Sequence, residues 1–531
     1  MLVAEINRGN FEYDVHAILQ AFYPEEQVRV LTPETGEEKR TLLEEAVQIR
    51  IRLYPESAVI DLDGQEYDWN PAVDETPEPV SDREKVPDLV SDGKGTPEPD
   101  AGEDKRYKYG FKCFLYRTLS QVTGRTLPWG SLTGIRPTKI AYGLLEQGKS
   151  EEEIIDFYRE KYDVSREKAK LSVDIAGRER RILAGIHNGT RNGADGCGSK
   201  DSADNGYSLY IGIPFCPTTC LYCSFTSFPA AAYRNKIDTY IDCLIKEMEA
   251  VAGIYGDRVL DCVYIGGGTP TTLEAGQLDR LLTKLKGLFD FSTVKEFTVE
   301  AGRADSITEE KLRVLYRHGV SRISVNPQTM KQETLDIIGR RASVEQVEEA
   351  YALARQVGFD NINMDLILGL PGEGEEDVQR TVDRVVAMAP DSLTVHSLAI
   401  KRASQLSKWI QENGVSMLRN TDATMRIAAE GARKLGLAPY YLYRQKNMSG
   451  NFENVGYARE GKLGLYNILI MEEVQTIVAL GAGAITKRVY PDGRIERCEN
   501  VKDVALYIEK IDEMIERKRK LQTTVLEENA R

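Results

Sequence analysis

Hydrophobic and polar residues alternate along the first 70 positions of the chain. Residues 47–54 and 57–62 place an apolar side chain at nearly every second position, which is typical of strands with one buried face. Beyond residue 105, apolar positions recur with helical spacing over residues 111–122, 139–145, 151–161 and 166–183. This pattern predicts an N-terminal α+β accessory domain over residues 1–185.

A different pattern begins at residue 207. Short apolar segments alternate with amphipathic helical ones, and strands are expected at residues 208–213, 261–265, 296–300, 322–325, 361–368 and 393–398. Six successive β-α units predict a parallel sheet that curls into a partial (β/α)6 TIM-like barrel over residues 207–400. Active sites of such barrels lie at the carboxyl ends of the strands. Residues 401–531 are expected to form a small C-terminal α/β extension that covers the substrate.

Two polar segments separate these regions. Residues 71–104 hold 11 acidic but only 3 basic side chains and 6 of the 20 prolines, so they cannot bury enough apolar surface to fold. They are predicted to be a disordered acidic insertion. Residues 186–206 are rich in Gly, Asn, Ser and Asp, which predicts a linker loop.

The charge and hydropathy of the chain limit the classes of function that it can have. The net charge of −14, more than half of it from the acidic insertion, argues against nucleic-acid binding, which rests on Lys and Arg. No run reaches the roughly 18–20 apolar residues that a membrane helix needs. The first residues also lack the basic and apolar regions of a secretory signal. We therefore predict a cytoplasmic protein without a membrane segment.

The cysteines supply the first candidate chemistry. Cys216, Cys220 and Cys223 have C-x3-C-x2-C spacing in the loop after the first barrel strand. Thiolates at such spacing can bind three irons of a 4Fe–4S cube and leave the fourth iron open. A closed zinc site would need a second ligand pair, but the other cysteines are scattered singly: Cys113, Cys197, Cys243, Cys262 and Cys498.

Polar and glycine-rich residues also mark the ends of the other barrel strands. Residues 266–271, Gly-Gly-Gly-Thr-Pro-Thr, follow the second strand, where glycines let a backbone approach a neighbour closely. No Lys-Ser/Thr follows them, so they do not form a nucleotide P-loop. Glu300, Gln328 and Asp365 lie in or after the next three strands. Their common position predicts one site together with the cysteines.

These motifs resemble a known family, the radical S-adenosylmethionine (SAM) enzymes of the oxygen-independent coproporphyrinogen III oxidase group. The resemblance covers about residues 207–490 and rests on the motifs that begin at Tyr210, Gly266, Arg322 and Asp365. The segment 132–139, Leu-Thr-Gly-Ile-Arg-Pro-Thr-Lys, is similar to the HemZ-type coproporphyrinogen dehydrogenases of this group.

The resemblance implies cofactors and the residues that bind them. It implies a 4Fe–4S cluster on the three cysteines, which with Tyr210 form the catalytic set. It also implies two SAM molecules, the first on the open iron near Tyr210, Gly267, Gly268 and Glu300. The second would lie against Tyr222, Thr269, Gln328, Arg340, Asp365, Ala399 and Ile485.

The implied reaction is the oxidative decarboxylation of two propionates of coproporphyrinogen III, which gives protoporphyrinogen IX in anaerobic heme biosynthesis. It requires a tetrapyrrole substrate, an electron donor such as flavodoxin or ferredoxin, and an electron acceptor that the sequence does not identify.

Alternatives remain open because oxidases of the group carry a fourth cysteine where this chain has Phe225. The related heme-trafficking proteins have an aromatic residue there, which keeps heme binding as an alternative. Their His-Asn-x-x-Tyr-Trp motif has only a partial match here, Glu453-Asn-Val-Gly-Tyr-Ala458. Tyr440, Tyr441 and Tyr443 are candidates for a tetrapyrrole pocket or for core packing. Another radical reaction, such as RNA modification with residues 1–185 as the recognition module, is the third alternative.

Overall fold

The computed structural model describes residues 1–70, 101–133, 136–191, 206–256, 258–401, 404–445, 448–490 and 493–528. Residues 71–100 of the predicted acidic insertion and 192–205 of the predicted linker lie outside the described residues. The chain divides into two compact units. Unit 1 comprises Met1–Gly177, Lys408–Arg419 and Leu442–Glu453, and unit 2 comprises Arg178–Ser407, Asn420–Tyr441 and Asn454–Arg531. The domain boundaries predicted above stay predictions.

Unit 1 contains a five-stranded sheet and its helices. The strands are β1 Leu2–Ile6, β2 Val28–Leu31, β3 Val47–Leu53, β4 Ala58–Leu62 and β5 Gln65–Trp69. Their order is β2-β1-β3-β4-β5, with β1 parallel to both neighbours and β3, β4 and β5 antiparallel. The helices are α1 Glu12–Phe22, α2 Glu37–Leu43, α3 Ala101–Thr123, α4 Thr138–Glu146, α5 Glu151–Tyr162 and α6 Arg166–Arg191, the last of which continues into unit 2.

One face of this sheet is buried and the other carries mixed charges. Ile49, Ile51 and Leu53 of β3 are buried in a core shared with α1 and α3, whereas Arg50 and Arg52 between them are exposed. Arg50 lies within 3.9 Å of Glu5, and Arg52 within 3.7 Å of Glu66. Because carboxylates interleave with the arginines, this face is not the continuous basic surface that an RNA-recognition module needs.

A late segment of the chain completes unit 1. The Glu453 carboxylate is 1 % exposed; it accepts a hydrogen bond from Trp129 Nε1 at 2.7 Å and pairs with Lys168 Nζ at 2.5 Å. Arg444 donates to the Leu132 carbonyl at 2.5 Å. Glu453, the first residue of the partial heme-trafficking motif, is therefore fixed by partners in unit 1.

Unit 2 is built on an eleven-stranded sheet, ordered β14-β15-β13-β12-β11-β10-β9-β6-β16-β17-β18. Its strands, with the short pair β7 and β8, are β6 Gly206–Ile213, β7 Phe215–Cys216, β8 Phe228–Pro229, β9 Val259–Gly267, β10 Glu296–Glu300, β11 Arg322–Ser324, β12 Ile362–Leu368, β13 Ser392–Ser397, β14 Ala438–Tyr443, β15 Asn454–Ala458, β16 Thr476–Leu480, β17 Ile485–Val489 and β18 Ile495–Glu499. The six predicted barrel strands correspond to β6 and β9–β13 and run parallel, which confirms the partial barrel. β16 adds a seventh parallel strand beside β6.

Helices follow the barrel strands, and the expected amphipathic segments correspond to α8 Ile237–Tyr255, α9 Ala275–Leu288, α10 Glu309–Arg317, α12 Val344–Val357 and α13 Glu375–Met388. The other helices beyond residue 206 are α7 Ala230–Tyr233, α11 Gln332–Ile337, α14 Leu406–Asn413, most of which belongs to unit 1, α15 Asp422–Lys434, α16 Leu465–Glu472, α17 Val504–Glu509 and α18 Ile511–Glu528. Within the described residues, no helix is both long and apolar enough to cross a membrane.

The parallel strands present polar side chains on one common face. Tyr264 of β9 donates to Glu300 of β10, and Thr394 of β13 donates to Asn363 of β12 at 3.2 Å. Arg322 of β11 donates to the Ser392 hydroxyl at 3.2 Å. The intervening apolar side chains, such as Val299 and Ile323, are buried on the opposite face. The inner face of the barrel is therefore polar, and its rim at the carboxyl ends of the strands positions the candidate site.

The C-terminal helix α18 is tied to the barrel by a buried ion pair. Lys518 Nζ lies 2.7 Å from the Glu247 carboxylate of α8, and both residues are at most 1 % exposed. Glu247 also accepts from the Gly481 backbone N–H at 2.9 Å and from the Tyr507 hydroxyl at 2.6 Å. This network fixes the turn after β16.

Candidate active site

The cysteine segment follows β6 and is held by the glycine-rich turn after β9. The backbone N–H groups of Gly268 and Thr269 each donate at 2.7 Å, to the carbonyls of Ile213 and Phe215. A Cβ atom on Gly268 would lie 2.6 Å from the Phe215 carbonyl oxygen, so only glycine fits there. Gly267 and Gly268 are predicted as cofactor contacts; the close contacts of their backbones are with the cysteine segment.

The three predicted cluster ligands lie on this segment as free thiols. Cys216 is buried, and its sulfur lies 3.4 Å from the Thr269 hydroxyl. The N–H of Cys223 donates to the Cys220 carbonyl at 3.0 Å, so the last two cysteines share one turn. Burial raises the pKa of Cys216 to about 11 and also raises the pKa of Cys223. Metal binding must therefore release protons from these thiols.

No three His, Cys, Asp or Glu side chains of the described ranges are placed as ligands of one metal ion.

Glu300 ends β10 beside a group of tyrosines on the inner face of the barrel. Its carboxylate accepts a hydrogen bond from the Tyr264 hydroxyl. The Tyr264 ring stacks on Tyr466 at 4.5 Å and on Tyr210 at 6.2 Å between centroids. Burial, reinforced by the Asp365 carboxylate, raises the pKa of Glu300 to about 7. Tyr210 and Glu300 thus lie in one cluster with Tyr264 and Tyr466. Their role as SAM contacts stays a prediction.

Gln328 and Asp365 are joined through their backbones. Gln328 has a left-handed φ of 67°, and its N–H donates to the Asp365 carbonyl at 2.9 Å. Asp365 is half-buried, and desolvation favours its neutral form, but the His396 ring, whose Nε2 lies 3.8 Å away, and the Asn363 amide, which donates at 2.7 Å, hold the pKa of its carboxyl below the usual value. His396 was not singled out in the sequence; its alternation with Ser392 and Thr394 along β13 is the signal for an inward-facing residue.

Arg340 connects the cysteine segment to β11. Its guanidinium donates to the Tyr222 hydroxyl at 3.2 Å, to the Gly302 carbonyl at 3.2 Å and to the Asn326 carbonyl at 2.5 Å. Tyr222 and Arg340, both predicted as SAM contacts, are therefore in contact with each other, and Tyr222 directly precedes Cys223 in the sequence. Arg303, three residues after Glu300, was not predicted; its guanidinium contacts the Cys220 sulfur at 3.5 Å.

Several buried polar atoms at this rim have no hydrogen-bond partner. They are Ser324 Oγ, Asn326 Oδ1, Gln328 Oε1 and Arg340 Nε. An unsatisfied buried polar group costs about 1–3 kcal/mol. Such a concentration beside three thiols indicates a site that is built for a polar ligand.

The remaining predicted residues lie at the outer part of the rim. Ala399 follows β13 and is half-buried. Ile485 begins β17 and is 41 % exposed. The turn before it approaches the end of the cysteine segment, since a Cβ on Gly483 would lie 2.9 Å from the Thr226 hydroxyl. Phe225 is 72 % exposed, with the Lys401 ammonium 5.5 Å from its ring centroid.

Comparison with known proteins decides the family. The radical SAM superfamily model matches residues 210–385. The chain is 38% identical over 440 residues to the oxygen-independent coproporphyrinogen-III oxidase-like protein HemZ of Bacillus subtilis, which covers 82% of this chain and 85% of the relative. The chain belongs to this radical SAM family. The resemblance found in the sequence is thereby confirmed.

Two further similarities extend to other members. The heme chaperone HemW of Lactococcus lactis is 32% identical over 281 residues, covering 52% of this chain and 68% of that protein. Among solved structures, the coproporphyrinogen III oxidase HemN of Escherichia coli, a radical SAM enzyme, aligns with a TM-score of 0.48 and 24% identity. That alignment covers 59% of this chain and 70% of HemN.

Enzymes of this family use a 4Fe–4S cluster and SAM. The residues of the rim fit both groups. Three thiols on one short segment suit a cluster with an open iron. The unpartnered oxygens of Asn326 and Gln328 and the unpartnered Arg340 Nε suit the ammonium, hydroxyl and carboxylate groups of SAM.

Proposed function

We propose that this protein is an oxygen-independent coproporphyrinogen III oxidase, which converts two propionates of its substrate to vinyl groups and yields protoporphyrinogen IX. The support for this substrate is the similarity to HemZ along most of both chains. Flavodoxin or ferredoxin is the proposed electron donor, and a separate acceptor takes the electrons from the substrate. A cytoplasmic location stays a prediction.

The observation that carries the proposal is the group of unpartnered polar atoms beside Cys216, Cys220 and Cys223. When bound, the cluster and SAM supply the one-electron chemistry that abstracts hydrogen from an unactivated carbon. The protein's part is to bind, orient and shield these groups from water. It does not need an acid or a base at the propionate.

The rim residues form two groups, which we assign to two SAM molecules. In the first, Glu300 would hold the amino group of one SAM, with Tyr210, Gly267 and Gly268 beside it. In the second, Arg340 would bind a carboxylate and Asp365 the ribose hydroxyls. Tyr222, Thr269, Gln328, Ala399 and Ile485 complete this second group.

The outer rim matches the substrate in chemistry. A porphyrinogen carries apolar ring faces and several carboxylates. Phe225 offers an exposed aromatic surface, and the Lys401 ammonium beside it offers a cation for a propionate. These two residues are the proposed first contacts of the tetrapyrrole.

Anaerobic reconstitution with iron and sulfide tests the proposal. The protein is incubated with SAM, a low-potential reductant, coproporphyrinogen III and a panel of electron acceptors, and chromatography quantifies 5′-deoxyadenosine and protoporphyrinogen IX. Both products are expected, with about two 5′-deoxyadenosines per tetrapyrrole. If 5′-deoxyadenosine forms with every acceptor but protoporphyrinogen does not, the oxidase function is wrong and the radical chemistry stands.

Matched cysteine variants localise the activity. Cys220→Ala is expected to abolish the visible absorbance of the cluster and both products. Cys243→Ala, on helix α8, removes a thiol outside the site and should leave both unchanged. Equal loss in the two variants would contradict the assignment of the cluster ligands.

Heme binding is a second candidate, and the exposed Phe225 is the observation that favours it. Oxidases of the group have a cysteine there, whereas the HemW relative of L. lactis is named a heme chaperone. His396, beside Asp365, is the candidate axial ligand at the rim. Stoichiometric heme uptake without decarboxylation, lost in His396→Ala but retained in His318→Ala, would favour this function over oxidation.

A further inference from the structure

We propose that Arg303 is a positioning residue that hydrogen-bonds the sulfur of Cys220 and thereby raises the reduction potential of the cluster. This role presupposes the cluster ligands proposed above. Arg303 is not a member of either proposed SAM group. It contacts the segment that carries the cysteines.

The contacts of Arg303 converge on the loop between the first two cysteines. Its side chain is 4 % exposed, and Nη1 donates to the Thr218 carbonyl at 3.1 Å and to Cys220 Sγ at 3.5 Å. Nη2 donates to the Thr218 hydroxyl at 2.9 Å. That hydroxyl in turn donates to the Gly339 carbonyl at 2.8 Å. One guanidinium therefore fixes both the backbone and the sulfur of this loop.

Asp305 holds the guanidinium plane in place. Arg303 Nε donates to Asp305 Oδ1 at 3.0 Å, and Nη2 donates to Oδ2 at 2.7 Å. Such a bidentate pair fixes orientation as well as charge. The Nη1 edge, which Asp305 does not engage, is thus left facing the Cys220 sulfur.

The charge at this position is permanent. A guanidinium in a protein does not lose its proton. Arg340, the other guanidinium nearby, donates to Tyr222 and to the carbonyls of Gly302 and Asn326, and it also interacts with Cys220. Arg303 donates to the Cys220 sulfur at 3.5 Å and is the guanidinium here that lies outside both proposed SAM groups.

A fixed cation at a ligand sulfur acts on the electronics of a cluster. Net charge and hydrogen bonds to the sulfurs set the reduction potential of iron–sulfur clusters. Reduction adds negative charge, which the guanidinium stabilises more in the reduced than in the oxidised form. Loss of the guanidinium should lower the potential and make the cluster harder to reduce.

Arg303→Gln and Arg303→Lys test this role against a purely structural one. Arg313→Gln is the matched control, because Arg313 lies on the surface of α10 with its side chain 64 % exposed and pairs with Glu309. Each protein is reconstituted anaerobically, its iron and sulfide are counted, and its midpoint potential is measured by redox titration with electron paramagnetic resonance, without SAM or tetrapyrrole.

Arg303→Gln is expected to retain the cluster but to show at least a tenfold lower ratio of reduced to oxidised cluster at a fixed potential. For one electron this corresponds to a shift of about 59 mV to lower potential. Arg303→Lys keeps the positive charge but lacks the planar guanidinium. Its midpoint potential should therefore lie between those of the parent and the Gln variant. Arg313→Gln should match the parent.

A parent-like potential in Arg303→Gln overturns the role. If that variant retains no cluster, the comparison passes to Arg303→Lys, where a lowered potential supports the role and a parent-like potential overturns it. The redox titration contains no substrate. Its result therefore stays valid even if the protein does not oxidise coproporphyrinogen. Absence of any cluster in the parent protein would overturn both proposals together.

Discussion

Glu300 shows how a single half-buried carboxyl can make the stability of the site depend on pH. Burial raises its pKa from 4.5 to about 7, and Tyr264, Asp365, Arg322 and His396 are the groups that interact with it. Between pH 4.5 and pH 7, Glu300 is protonated in the folded protein and ionised in the unfolded chain. The stability that Glu300 contributes is therefore complete below pH 4.5 and is lost as the pH rises through 7.

Replacing Glu300 by Gln should remove this dependence. Relative to Glu300→Gln, the cofactor-free parent should lose unfolding free energy as the pH rises from 5 to 7, by at most about 1.4 kcal/mol per pH unit. Denaturant titrations of both proteins at several pH values measure the difference. Parallel curves over this range would contradict the raised pKa.

Gly268 is a second residue with a specific steric role. A methyl group there would lie 2.6 Å from the Phe215 carbonyl oxygen, so Gly268→Ala should displace the cysteine segment. Overpacking of this kind costs about 1–3 kcal/mol, and the iron content after reconstitution should fall. Gly276→Ala on helix α9, where nothing lies within 4 Å of the new Cβ, is the control and should keep parent-like iron.

At the scale of elements, the sequence was most informative where the fold depends on local patterns. The barrel strands β6 and β9–β13 are short apolar segments bounded by glycine or polar residues, and each was predicted within a few residues. β16 is also a short apolar segment followed by a glycine, but it was not predicted, and its place in the sheet depends on pairing with β6, which lies more than 260 residues earlier. Arg303 and His396 were missed because their roles depend on the neighbours that the folded barrel supplies.

The helix α18 offers a test of how a distant element supports the rim. Lys518→Met would leave the Glu247 carboxylate buried without its cation, which typically costs about 3–5 kcal/mol. Denaturant unfolding should show this loss, and the double variant with Glu247→Gln should recover part of it. Lys520→Met, an exposed position on the same helix, should change stability by less than about 1 kcal/mol. Equal effects of the two lysine variants would contradict the role of the buried pair.

At the scale of the whole molecule, the two units interleave along the chain. The segment Leu442–Glu453 belongs to unit 1, although both of its sequence neighbours belong to unit 2. No local pattern predicts this membership, because it depends on Glu453 meeting Trp129 and Lys168. The radical SAM core, in contrast, can be predicted from the sequence, because its motifs follow one another along the chain.

Glu453→Ala should therefore weaken unit 1 rather than the cluster site. It leaves Lys168 buried without its carboxylate and Trp129 Nε1 without its acceptor, so the first cleavages in limited proteolysis should fall in unit 1. Iron content after reconstitution should stay at the parent level. Glu460→Ala, at an exposed position, is the control. Loss of iron in the Glu453 variant with protease resistance unchanged would contradict this expectation.

The pairing of Lys168 with Glu453 also sets an order of events during synthesis. The two residues are 285 positions apart. At about 5–20 residues per second, Glu453 leaves the ribosome roughly 15–60 seconds after Lys168. Throughout this interval the early part of unit 1 lacks the carboxylate that Trp129 and Lys168 bind. The nascent chain therefore holds an unfinished first unit while the barrel that follows is being made.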